Sequence, residues 1–262
     1  MKKRYAIFFI ILLFFGCVTN PLTGKSTMAL VSNNQLFSMS FSQYKEFLKE
    51  NTVVTGTPEA AMVSRVGEKI SNAAKKWLAA EGQPNYLKDY RWEYKLVKDN
   101  AINAWCMPGG KIVVYTGILP VTQTEAGLAV VMGHEVAHAL LNHGQQRMSA
   151  NILQQIGATA VSVVTDSELI MAAYGIGSSL LGTLPFSRSH ESEADLYGLT
   201  LMAIAGYDPV QAVSFWERMA GRSGGGSIEF LSTHPSSSTR IRQLRDWTPA
   251  AKQKAAEFGV RY

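Results

Sequence analysis

The chain's most chemically suggestive stretch is His134-Glu135-Val136-Ala137-His138, an H-E-x-x-H pattern. On a helix, residues i and i+4 lie one above the other, so both imidazoles can reach a single metal ion. Glu135 projects from an adjacent face, where its carboxylate can take a proton from a water activated by the metal and pass it to a leaving amine. Catalytic zinc takes three protein ligands and one water, so a further His, Glu or Asp must face this helix. Glu191-Ser192-Glu193-Ala194-Asp195 offers one. Glu191 and Asp195, four apart, share a helix face, which makes Glu191 a candidate ligand and Asp195 a group able to fix a histidine or arginine; Glu193 points elsewhere. His143 and His190 lie close to these motifs but lack the spacing to replace them. They are expected as surface residues or as support for the ligands.

These residues need elements to position them. Thr122 and Glu125 stand as a capping box before an apolar run, and Gly144 supplies a stop, so the spacing predicts a helix over roughly 123–143 that carries the H-E-x-x-H motif. A second helix is predicted from about Ser187 to Ala205, ended by Gly206, and Asp208-Pro209 opens a third. Upstream, Phe37 to Leu48 and Ala60 to Leu78 recur apolar at helical spacing, with Met62, Val66, Ile70 and Ala74 as one stripe. Trp92 to Val97 alternates like a strand. Ile102 to Cys106 and Lys111 to Tyr115 flank Met107-Pro108-Gly109-Gly110, with Pro and Gly where a type II turn favours them, which predicts a hairpin. Gly224-Gly225-Gly226 reads as a loop. The apolar segment 157–184 is interrupted by Asp166 and Glu168, which favours packed helices over an inserted membrane hairpin.

His134-Glu135-x-x-His138 followed by Glu191-x-x-x-Asp195 resembles the zinc peptidases of the HtpX and CAAX-prenyl-protease type, over most of the chain beyond its first 35 residues. Within them the chain is most similar to the BepA- and LoiP-like lipoprotein peptidases, partly through Pro21-Leu22-Thr23-Gly24-Lys25. The resemblance implies one zinc per chain, Glu191 as third ligand, and roles for Thr233-His234-Pro235 and Arg240. His234 would face the metal, either stabilising the oxyanion or gating the site from the open metal position, and Arg240 would pair with Asp195. Asn103-Ala104-Trp105 resembles the edge strand on which such enzymes bind an extended substrate through main-chain hydrogen bonds.

Lys2, Lys3 and Arg4 precede an apolar run from Tyr5 to Phe15, too short to span a bilayer, which reads as a signal peptide over 1–16. Phe14-Phe15-Gly16-Cys17 resembles a lipobox, so Cys17 is the expected lipidation site; the alternative is an uncleaved anchor. Residues 17–35 are expected as a tether, and 36–262 as the peptidase domain. Cys106 is then a buried free thiol, unless it pairs with Cys17 in place of acylation. With 262 residues, 47% of them hydrophobic, the chain can bury a sizeable core. Its +5 net charge comes from scattered rather than massed Lys and Arg, which argues against nucleic acid as a partner.

The expectation is therefore an α+β, zincin-like fold, mainly helical with a small antiparallel sheet and an H-E-x-x-H helix. It would be a zinc metalloendopeptidase acting on misfolded or misassembled polypeptides. Its expected place is the bacterial envelope, lipid-anchored in the outer membrane and facing the periplasm. The alternative is a zinc-containing chaperone or assembly factor with latent peptidase activity that works with outer-membrane assembly machinery.

Overall fold

The computed structural model describes residues 16–158, 186–221, 229–234 and 238–262. The expected signal peptide, the apolar segment 157–184, the Gly224–Gly226 loop and Pro235 lie wholly or mostly outside them.

In chain order the elements begin with a hairpin, β1 (Cys17–Thr19) and β2 (Ser26–Met28), followed by α1 (Asn33–Glu50), β3 (Val53–Val54) and α2 (Pro58–Ala80). Three strands come next, β4 (Glu93–Val97), β5 (Ala104–Met107) and β6 (Lys111–Tyr115). The remaining helices are α3 (Leu119–Thr122), α4 (Glu125–Leu140), α5 (His143–Ala158), α6 (Arg188–Ile204), α7 (Val210–Gly221), α8 (Glu229–Thr233) and α9 (Ser238–Glu257). Among the described residues no helix is long and apolar enough to cross a membrane.

The four-stranded sheet has the order β3-β4-β6-β5. It is mixed rather than wholly antiparallel, because β4 and β6 run parallel, pairing Glu93 with Lys111 through Val97 with Tyr115. The predicted hairpin joins β5 to β6, with Ala104 opposite Val114. Gly110 N donates to Met107 O across the turn, and Gly109 has φ +86, the left-handed value that a type II turn demands at that position. β5 is therefore an edge strand.

The expected tether is folded structure instead. Asn20 is buried at the tip of the β1–β2 hairpin, where its Oδ1 accepts from Leu22 N at 3.0 Å and its Nδ2 donates to Leu140 O at 2.8 Å. A side chain that satisfies both its own turn and a helix end holds the hairpin down, which polar composition alone concealed. Neither Cys17 nor Cys106 is in a disulfide.

α2 starts at Thr57, whose side chain accepts from Ala60 N, with Pro58 in the first turn, and it buries Val63, Val66, Ile70 and Ala74 against the core. Val63 takes the place on this stripe expected of Met62, which is half-buried. α4 is shorter than expected at both ends. Thr122 closes the preceding turn by donating to Leu119 O, and Thr124 is the true N-cap, accepting from Gly127 N at 3.0 Å. At the far end Asn142, with φ 58, breaks the helix, and Gly144 falls inside α5. Every residue from Gly127 to Leu140 is buried. A helix apolar on all sides belongs in the middle of a core, and α4 packs against α2, α6, α7 and β5. α6 keeps its predicted start, with Ser187 as N-cap accepting from His190 N, and its predicted stop at Gly206, φ 89.

Candidate active site

α6 crosses α4 with the two backbones touching. A Cβ added to Gly198 would lie 2.8 Å from both Cα and N of His134, and one added to Gly133 would lie 2.8 Å from Gly198 O. Only glycine permits this approach. It is what brings two ligand-bearing helices close enough for short side chains to meet.

At the crossing, His134 Nε2 and His138 Nε2 lie 3.0 Å apart. Glu191 reaches between them, Oε1 3.3 Å from His138 Nε2 and Oε2 3.6 Å from His134 Nε2. His234, at the end of α8, completes a buried quartet, with Nδ1 2.9 Å from Glu191 Oε1 and 3.1 Å from His134 Nε2. The other nitrogen of each helical histidine is also engaged: His134 Nδ1 lies 2.9 Å from Asp195 Oδ1, and His138 Nδ1 lies 2.9 Å from His143 Nδ1. With its proton on the Nδ1 side, each ring turns an Nε2 lone pair towards the same point as the Glu191 carboxylate. Two nitrogens and a carboxylate converging in this way are a donor set suited to a divalent cation such as zinc. Glu135 Oε1, buried and without a hydrogen-bond donor, sits 3.3 Å from His234 Nε2 at the rim of this cluster.

Arg240, from α9, lies under the cluster. Its Nε donates to Asp195 Oδ2 at 2.5 Å, and its Nη2 donates to Asp195 Oδ1 and Glu191 Oε2 at 2.8 and 2.7 Å. Its guanidinium stacks 3.7 Å over the Trp216 ring, an apolar floor that keeps the fork flat. The electrostatics arise from burial set against these partners. Burial raises the Glu135 carboxyl above its ordinary value, despite the opposing pull of His234 and His134. Burial also works to raise Glu191 and Asp195, but the His138 and His234 rings beside the first, and the Arg240 charge beside the second, carry both below their ordinary values. His138 is pushed well down by burial, and His143 falls to about 3 for the same reason, so both rings are neutral.

The cluster opens into a pocket lined by Ala104, Cys106, Glu135, His138, Phe186 and His234. A larger surface groove by Phe37, Phe41, Lys45, Lys88 and Arg91 contains none of these residues. Along β5 the ladder alternates. Tyr115 N donates to Asn103 O, so Asn103, Trp105 and Met107 turn their main-chain groups to β6, while Ala104 and Cys106 turn theirs to the open edge. Asn103 itself is committed inside the protein, its Nδ2 donating to Glu229 Oε1 and its Oδ1 accepting from Ala104 N. Both expected edge residues line the pocket, Ala104 with its main chain turned to the open edge and Asn103 with its main chain turned to β6. Cys106 lies beside Glu135, and burial followed by that carboxylate's charge pushes its thiol well above the ordinary value.

Three further residues carry the site: Phe186, His143, for which support of the ligands was one of the two expected places, and Glu193, which was expected to point elsewhere. Phe186 stacks on the His138 ring at 4.0 Å, and nothing in its type or spacing announces that contact. His143 is fully buried behind His138. Glu193, expected to point away, instead meets His143 Nε2 through its Oε2 at 3.2 Å and Lys25 through its Oε1. The i+5 step from His138 to His143 passes through the left-handed Asn142, so no helical periodicity could have linked the two.

Residues 64–248 match the profile of peptidase family M48. The chain is similar to mitochondrial metalloendopeptidase OMA1 of Schizosaccharomyces pombe, 35% identical over 89% of this chain and 67% of that protein. It is also similar to OMA1 of Saccharomyces cerevisiae, 30% identical over 94% and 75% of the two chains. A bacterial relative, metalloprotease YcaL of Escherichia coli, is 26% identical over 76% of each chain. These relatives correct the expected location, since a bacterial outer-membrane lipoprotein facing the periplasm conflicts with high-coverage matches to mitochondrial enzymes.

Proposed function

This chain belongs to peptidase family M48 and is a metalloendopeptidase of zincin-like fold acting on polypeptides, and from that premise we propose how its own residues perform the hydrolysis. His134, His138 and Glu191 hold one zinc ion; when bound, it supplies Lewis-acid polarisation of a water and of the scissile carbonyl. Glu135 takes the water's proton and returns it to the leaving amine. Burial raises its pKa, which favours uptake of that proton. Asp195 and Arg240 hold the ligands from behind, and His234 Nε2 is placed to donate a hydrogen bond to the developing oxyanion. The substrate pairs as an extended strand along the open edge of β5, with the outward carbonyls of Ala104 and Cys106, whose N–H groups are engaged by Asn103 Oδ1 and Glu135, and this selects unfolded segments over folded ones.

The observation that carries this reading is the convergence of His134 Nε2, His138 Nε2 and Glu191 on one point beside the undonated Glu135 oxygen. It is tested by cleavage of an unfolded protein such as casein, with a Glu135→Gln variant and a chelator-treated sample beside the parent. Activity lost in both, and restored by zinc in the second, is the expected result. Cleavage that survives either treatment overturns it.

Finer readings rest on the same base. The spacing of Glu191 and Asp195 supports a place near the HtpX and CAAX-prenyl-protease type, and the edge strand supports a role in clearing misfolded polypeptides. Cys17 is exposed at the start of β1 and open to acylation, which the mass of the Cys17 peptide from the native source would reveal; an unmodified mass refutes the lipid tether. A second reading, a chaperone with latent peptidase activity, is favoured by one contact. His234 Nδ1 lies 3.1 Å from His134 Nε2 and joins the ligand atoms of His134, His138 and Glu191 as a fourth donor. If His234 gates the site, His234→Ala cleaves faster than the parent, and a rate no higher than the parent's refutes gating.

A further inference from the structure

The back of His138 is held by an unusual partner. A metal-ligating histidine ordinarily donates its second N–H to a carboxylate, a main-chain carbonyl or water. His134 obeys that rule with Asp195, but His138 faces another imidazole, His143, at 2.9 Å between the two Nδ1 atoms. Which nitrogen carries the proton is decided one step further out. His143 Nε2 lies 3.2 Å from Glu193 Oε2, and Glu193 is paired through its other oxygen with Lys25 on the loop between β1 and β2. A carboxylate paired with a lysine only accepts, so His143 Nε2 must carry the hydrogen. His143 is fully buried and packed face to face with His190 at 4.3 Å. A second hydrogen, on its Nδ1, would point at His138 Nδ1 and force that ring's hydrogen onto Nε2, where a ligand cannot carry it, so with His138 as a ligand His143 Nδ1 offers the lone pair. His138 Nδ1 must then be the donor, and its Nε2 is left as a lone pair facing His134 and Glu191.

We propose that His143 and Glu193 are positioning residues that lock His138 in its Nδ1–H tautomer, with Lys25 fixing Glu193 from the N-terminal hairpin. The inference rests on the reading of His138 as a metal ligand and adds what makes it one. The opposite tautomer would place a hydrogen on His138 Nε2, aimed at the ligand cluster, and a lone pair of His143 against the Glu193 carboxylate. The same hairpin also ties down the end of α4, since Asn20 Nδ2 and Tyr86 Oη both donate to Leu140 O, at 2.8 and 2.9 Å, and Tyr197 Oη donates back to Leu22 O. The hairpin is thus bonded both to the helix bearing His138 and to the carboxylate that orients it.

The test uses the full chain, first stripped with a chelator and then titrated with zinc against a chromophoric chelator. In the stripped protein, long-range 1H–15N correlation of the imidazoles should show His138 protonated on Nδ1 and His143 on Nε2. His143→Leu should weaken zinc binding by about 10- to 100-fold, the usual cost of losing such a partner. His143→Asn, whose side-chain oxygen falls near the lost Nδ1, should recover most of it. Glu193→Ala, a milder change at a partly exposed site, should also weaken binding, and combining it with His143→Leu should add little, since both cut one chain of bonds. His138 protonated on Nε2 in the parent, or Leu, Asn and Glu193→Ala variants that all bind zinc like the parent, would overturn the relay. Loss in both Leu and Asn with none in Glu193→Ala would reduce His143 to packing and also overturn it. Should His143→Leu fail to fold, the parent's tautomers and Glu193→Ala decide the matter. A parent that binds no zinc removes the ligand assignment of His138, while the tautomer spectrum still judges the relay by itself.

Discussion

Replacing Gly198 with alanine places one methyl group against the main chain of α4, where no neighbour can give way. The new Cβ would sit 2.8 Å from His134 Cα and N and meet Gly133 C at 2.9 Å. All of these are backbone atoms of a helix buried on every side, so no side chain can swing away. Ordinary contact begins near 3.4 Å, so α6 must move away from α4 by roughly 0.6 Å or more, in a core whose packing tolerates little displacement. Overpacking of this kind costs about 1–3 kcal/mol, which in a chain of this size lowers Tm by very roughly 2–12 °C at about 2–4 °C per kcal/mol. The effect on activity should be out of proportion to that. Glu191 and Asp195 ride on α6 while His134 and His138 ride on α4, so the shift opens the ligand set itself, and displacements approaching 1 Å at such sites cost up to about 100-fold in rate. Thermal unfolding, zinc titration and kcat/KM on an unfolded protein substrate would be measured together. Gly221→Ala serves as control, because a Cβ there meets nothing within 4 Å. A Gly198→Ala protein with the parent's Tm, zinc affinity and kcat/KM would refute the claim that backbone contact between α4 and α6 sets the geometry of the site.

Glu135→Gln keeps the shape of the pocket but removes the base; kcat should fall by about 10²- to 10⁴-fold with zinc still bound, as single-turnover cleavage and metal analysis would show. Arg240→Met strands the buried carboxylates of Asp195 and Glu191, at a cost of about 3–5 kcal/mol, so calorimetry should register a large fall in Tm, and an unchanged Tm would mean those carboxylates are not paired as described. Thr124→Ala removes the side-chain cap of α4 and should cost about 1 kcal/mol in urea unfolding; if it costs nothing, the helix is capped in some other way.

The site was legible wherever residue type and helical spacing coincide. His134 and His138, four apart, and Glu191 and Asp195, four apart, announced two facing helices, and the Ser187 cap and Gly206 stop bounded the second of them within a residue. The type II turn at Pro108-Gly109 was legible for the same reason, because a local backbone demand selects particular residues. What escaped depends on contacts across the chain. Parallel pairing of β4 with β6 is set by how the connection between them is routed, and alternation within either strand carries no sign of it. The Gly133–Gly198 contact joins two ordinary helical glycines 65 positions apart in the numbering. Thr122 lost to Thr124 as the cap of α4 because both fit the pattern and only the turn closed on Leu119 O separates them. The N-terminal hairpin read as a tether because it is polar, and its order comes from Asn20, Lys25 and Leu22 bonding to Leu140, Glu193 and Tyr197.

Charge balance ties the buried groups together. Glu135, Glu191 and Asp195 are all buried within one cluster, and Arg240 is the buried cation that answers them there. With the carboxylates ionised and the histidines in the neutral form that metal ligation requires, one guanidinium leaves the cluster two charges short of neutral, and uncompensated charge in a core is among the costliest features a fold can hold. Part of that excess is relieved by Glu135, whose pKa is raised by burial and by the Glu191 charge. A divalent cation between His134, His138 and Glu191 removes the rest, so binding and folding should be coupled. Tm ought therefore to climb with zinc concentration as RT ln(1 + [Zn]/Kd), by about 2.7 kcal/mol of stability at a hundredfold excess over Kd. In Glu191→Gln the ligand carboxylate vanishes together with a charge that the histidines and Arg240 favour in the folded site, so the metal-free protein should lose stability while the zinc-dependent rise shrinks. A metal-free Glu191→Gln protein as stable as the metal-free parent would show that these partners do not hold the carboxylate in the fold, and that the cation alone answers its charge.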